Sequence, residues 1–275
     1  MHFHFGFTAL QILWTLTFAA LLVLLVVLLG RDRMRRFPWF STSIALMAFR
    51  LMVSRLLYGR IAQIPMAAIF LTLNDLSVLV DLLVLVEVSR RAFAAAKRRS
   101  WIVGTLALAA VAMTVIVVWG PWPAWKTLIA GSSLAGLRLM QLLAQKGELL
   151  VEVLAVGVGL LVVFFGARFK AGWRTHTQRI AIGLSTAAMA QLVVQGAMEL
   201  IAIHTILHSR AEYDRLMDLR ERFYNASSAI YIGVLVWWIA CLWRDEPGAP
   251  EAAVPEATAA SSPGDEPDAD STARS

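Results

Sequence analysis

Seven apolar runs, each long enough to cross a bilayer as an α-helix, leave this chain few folds to choose from. They fall at 8–30, 38–59, 65–88, 101–120, 147–168, 179–207 and 225–243. An α-helix rises about 1.5 Å per residue, so about twenty residues cover a hydrocarbon core roughly 30 Å thick. Lipid cannot pair with backbone amides, and none of these runs shows the two-residue alternation of a barrel strand, so each must be helical. The expected fold is an all-α transmembrane bundle of about seven membrane-spanning helices. With 59% hydrophobic and 16% charged residues, the composition lies well outside that of a soluble domain. In 275 residues seven spans leave little room for a separate catalytic domain, so the function is exercised in the membrane or at its faces.

Charge gives the expected orientation. The loops after the first, third and fifth runs carry Arg31, Arg33, Arg35 and Arg36; Arg90, Arg91, Lys97, Arg98 and Arg99; and Arg168, Lys170, Arg174 and Arg179, with Asp32 as their one acid. On the other side Arg210, Arg215, Arg220 and Arg222 are interleaved with Glu212, Asp214, Asp218 and Glu221. Basic loops stay in the cytoplasm, which puts the N-terminus outside and the C-terminus inside. The segment 125–146 would upset this count if it spanned. It is read instead as an outer interfacial helix or an outward extension of the fifth span. Residues 245–275 hold eight acids against Arg274, among Ala, Pro and Ser. Such a tail buries too little apolar surface to order itself and is expected to be disordered and cytoplasmic.

The net charge of +6 does not indicate nucleic-acid binding, because its bases follow apolar runs as loop charges do. The expected partners are the lipid bilayer, a small polar solute or ion, and a protein at the cytoplasmic loops or tail. Abundant Ala and an excess of Arg over Lys fit a bacterial inner membrane. A single cysteine, Cys241, precludes an intramolecular disulfide. The chain has no Walker loop, GxGxxG, GxSxG or CxxC, so no catalytic centre is nominated. The seventh run has no Lys to anchor a retinal Schiff base.

Ionisable groups inside a span cost about 2.5 to 3.5 kcal/mol on insertion scales, so they are usually paired or functional. The second run holds Arg50 and the third Asn74, Asp75 and Asp81. Arg50 and Asp75 lie at matching depth on consecutive antiparallel helices and are expected to pair as a gate, with Asp81 deeper as a proton or cation site. Glu152, Gln195, Glu199 and Tyr231 fall in the outer halves of later spans, and the steps of four in Gln191, Gln195 and Glu199 put those three on one helical face. Together these residues predict an outward-opening polar cavity for ligand binding or gating. His204, His208 and Glu212, also four apart, are the candidate metal ligands. A divalent metal is the only cofactor the sequence suggests.

Transport of a small polar solute or ion is the first functional expectation. A seven-helix sensor binding an extracytoplasmic ligand is the alternative, and an assembly subunit of a membrane complex the third. Transport needs polar groups continuing to the cytoplasmic side, as Asp81 and Glu87 suggest, whereas a receptor pocket can close below the middle. A weak similarity between 25–36 and 161–174 suggests that spans one to three repeat as spans five to seven, with the fourth as connector.

Overall fold

The computed structural model describes residues 9–57, 59–93, 98–119, 122, 133–165, 175–204 and 210–245. These form eight helices: α1 (Ala9–Gly30), α2 (Arg33–Arg36), α3 (Pro38–Leu57), α4 (Gln63–Ala92), α5 (Arg98–Val118), α6 (Ser133–Phe165), α7 (His176–His204) and α8 (Arg210–Trp243). Six of them, α1, α3, α4, α6, α7 and α8, are long and apolar enough to cross a membrane. The fourth predicted span is α5, whose described apolar stretch, Gly104–Val118, is shorter. The outward surface supports lipid as solvent: Leu29, Val118 and Phe164 are each about 70% exposed or more, in a chain whose inner side chains are closely packed. This is a multi-pass α-helical membrane protein.

The six long helices close into a ring in chain order. Neighbouring pairs are α1–α3, α3–α4, α4–α6, α6–α7, α7–α8 and α8–α1, while α5 stands outside and packs on α6. Small residues permit the closest approaches. A Cβ on Gly147 would run into Val78 of α4, one on Gly159 into Ser185 of α7, and one on Gly157 into Leu108 of α5. Such contacts let helices associate where lipid removes the hydrophobic drive between them. Across the ring, α4 also touches α7, and Leu85, Ala155 and Ala188 pack together where α4, α6 and α7 meet.

The two longest helices far outrun the bilayer. At 33 residues α6 and at 34 residues α8 are each about 50 Å long, against roughly 30 Å of hydrocarbon. The sequence 133–146 is therefore helical and continuous with the fifth span. Lys146 sits where α6 passes the end of α5, its Nζ donating to the Trp119 carbonyl at 2.5 Å and lying over the Trp122 ring. It meets carbonyls left open at a helix C-terminus. Of the tryptophans that follow α5, Trp119 and Trp122 are among the described residues.

The end of the bundle that carries the basic residues is tightly cross-linked. Arg33 Nη2 donates to the Arg244 carbonyl at 2.9 Å, and Arg179 Nη1 to the Cys241 carbonyl at 3.3 Å. Both supply positive charge to the C-terminus of α8, as the helix dipole favours. Arg31 and Arg33 reach Asp245 at 3.4 and 3.5 Å. Glu87, near the end of α4, accepts the Trp39 and Phe40 amides at 3.2 and 3.3 Å and pairs with Arg91 at 3.3 Å. It thus caps the start of α3, where first-turn amides have no intrahelical partner. Glu87 is therefore engaged on this cap. The tail beyond Asp245 lies outside the described residues.

Candidate functional site

Inside the ring lies a cavity of about 530 Å³ lined by all six long helices. Its polar groups fall in layers fixed by helical register. Asn74, Ser77 and Asp81 occur at steps of three and four, so α4 turns all three to the cavity. Arg50 and Ser43, seven residues apart on α3, meet this face at its two ends. Arg50 Nη1 donates to Asn74 Oδ1 at 2.5 Å, and Ser43 Oγ donates to Asp81 Oδ1 at 2.5 Å.

The opposite wall comes from α6, α7 and α8. Asn74 Nδ2 donates to Glu148 Oε1 at 2.7 Å, linking α4 to α6. One turn along α6, Glu152 Oε1 accepts Gln195 Nε2 at 3.2 Å, while Glu152 Oε2 is buried with no hydrogen-bond partner among the described residues. Ser227 Oγ donates to Gln191 Oε1 at 2.8 Å, joining α7 to α8. The Tyr231 hydroxyl lies against the Met47 sulfur. Electrostatically Arg50 attracts Asp81, and Glu148 repels both Asp81 and Glu152.

The floor is aromatic and apolar. Phe40 and Trp238 stack edge to face with ring centroids 5.1 Å apart, both about 1% exposed. Trp238 Nε1 donates to the Arg179 carbonyl at 3.2 Å, so the indole's polar atom is satisfied and its position fixed. It can lie this close to α7 because Gly183 has no side chain: a Cβ there would collide with the indole. Around and below these rings Leu24, Leu28, Phe37, Val88, Ile180, Leu235 and Leu242 are all fully buried.

Of the residues predicted from sequence, Arg50, Asn74, Asp81, Glu152, Gln191, Gln195 and Tyr231 line one cavity. Asp75 and Glu199 do not. The expected Arg50–Asp75 pair is not formed, because Arg50 bonds Asn74 instead. Depth alone does not select the partner: adjacent residues on a helix point about 100° apart, and it is Asn74 that faces α3. Of the candidate metal ligands, the His204 side chain and all of His208 lie outside the described residues, and Glu212 is exposed in the first turn of α8. No three His, Cys, Asp or Glu residues among the described ones converge closely enough to hold a metal ion.

Four residues of the site were not singled out for it: Ser43, Met47, Glu148 and Ser227. Glu148 carried a signal, since it lies four residues from Glu152 and so shares its face. The two serines and Met47 look like ordinary span residues until their neighbours are known. Compared with known proteins, the chain matches no family model, no curated protein and no solved structure.

Proposed function

We propose that this protein is a receptor-like membrane module that binds a small polar ligand in the ring cavity from the extracytoplasmic side. The observation that carries this reading is the closed inner half. The polar side chains that line the cavity run from Arg50 down to Asp81, and the Phe40 and Trp238 rings sit below them against a buried apolar cluster. A pocket of this volume with a few convergent polar groups is the usual form of a small-molecule site. The basic loops, gathered at the sealed end, favour that end as cytoplasmic, with α5 as a seventh span and the N-terminus outside. Binding would act on α8, which contributes Ser227, Ser228 and Tyr231 to the cavity and ends among Arg31, Arg33 and Arg179 at the inner face. That route offers an output protein a ligand-dependent surface at the loops or tail.

Transport is the second reading, favoured by Asp81 within the cavity and by the two sets of three helices that close the ring. Ligand screening followed by flux separates the two. A compound that binds at a hundred times its dissociation constant adds about 2.7 kcal/mol of stability, visible as a raised melting temperature of the purified protein. Receptor function requires that this compound is not accumulated or exchanged by proteoliposomes. Saturable uptake abolished by cavity substitutions would replace it with transport.

A further inference from the structure

We propose that the cavity selects an organic cation, an ammonium group carried on an apolar or aromatic body. This rests on the reading of the cavity as a ligand site and adds the ligand's chemical class. Among the lining residues three carboxylates, Asp81, Glu148 and Glu152, stand against one guanidinium, Arg50. Arg50 is held by Asn74 and faces Asp81, and the Asn74 amide donates to Glu148. Among the described residues no base lies beside Glu152, its one donor is Gln195, its neighbour is the acidic Glu148, and its Oε2 is buried without a partner. A buried acceptor left unmatched costs free energy that a ligand donor would recover.

The same geometry argues against the other ligand classes. An anion would enter a space already holding an excess of carboxylates. A bare metal ion needs several ligands converging on one point, and no such set of three exists among the described residues. An ammonium needs only one or two acceptors, and its body can occupy the rest of the roughly 530 Å³. Walls supplied by Leu51, Val78, Val151 and Leu184, with Trp14 and Tyr231 among them, suit an alkyl or aryl group. Aromatic faces add attraction for a cation.

The test uses the full purified chain in detergent and three probes of one shape and different charge: 2-phenylethylamine, 3-phenylpropanoate and 3-phenylpropanamide. Melting temperature is followed against concentration for each. A saturable rise with the amine alone is expected, at least tenfold more potent than with the amide. Glu152→Gln should weaken the amine about tenfold, the loss expected for one charge-assisted hydrogen bond, and leave the amide unchanged. Asp81→Asn supplies a second variant, with a smaller loss in the same direction, should Glu152→Gln fail to fold. Equal or better binding of the acid or amide would overturn the cation class while leaving the ligand pocket standing. No response to any probe would overturn the cation class and count against the pocket as well. An amine response unaltered in both variants would remove Glu152 and Asp81 as its recognition groups.

Discussion

Arg50 of α3 donates to Asn74 of α4 at 2.5 Å, and Asn74 in turn donates to Glu148 of α6 at 2.7 Å. Asn74 thus joins the positive and negative sides of the cavity through a neutral amide, while the adjacent acid, Asp75, forms no ion pair with Arg50. Replacing Arg50 by Gln should lower stability by roughly 1 to 2 kcal/mol, the upper range for polar contacts between membrane helices. Asp75→Asn should stay within about 0.5 kcal/mol of the parent. Thermal melts of the two purified variants check this, and equal losses would show that Asp75 shares the Arg50 interaction.

Glu87 gives a second test, because a carboxylate on a conduction path and a carboxylate capping a helix fail differently. Glu87→Ala removes the acceptor for the Trp39 and Phe40 amides and the partner of Arg91. A stability loss of about 1 to 2 kcal/mol is expected, as for loss of an N-cap, with faster amide exchange in the first turn of α3. Ligand affinity should not change. A large change in affinity at unaltered stability would instead place Glu87 on a polar route.

The contrast between these residues shows what could be read from the sequence. Span positions were legible because apolar runs of bilayer length admit only helices. The polar face of α4 was legible because Asn74, Ser77 and Asp81 keep helical spacing. Choosing between Asn74 and Asp75 as the partner of Arg50 required the rotation of α4 about its own axis, which neither hydropathy nor depth determines. Pairing Asn74 with Glu148, 74 residues away, required knowing that α4 and α6 are neighbours while α5 stands outside. Ser43 and Ser227 had no signal, since one hydroxyl in an apolar run usually bonds its own helix backbone.

Gly183 tests the floor. A methyl group there would displace the Trp238 indole, so Gly183→Ala should cost about 1 to 3 kcal/mol, as overpacking does, and loosen the seal below the cavity. Gly233 is the control on α8: nothing lies near its added Cβ, and Gly→Ala in a helix interior stabilises by up to about 1 kcal/mol. Melting temperatures of the two variants should move in opposite directions. A neutral Gly183→Ala would mean that Trp238 has room to retreat.

The proposed receptor requires a cavity open to the outer face and closed to the cytoplasm. Its most direct test is thiol access to Ser228→Cys, which lines the cavity, and to Met34→Cys at the basic end, each in a Cys241→Ala background. Membrane-impermeant reagent applied to intact cells should label the Ser228 variant and spare the Met34 variant; in inside-out vesicles the pattern should reverse. Labelling of Ser228→Cys from the cytoplasmic side would contradict the sealed floor and the receptor reading built on it.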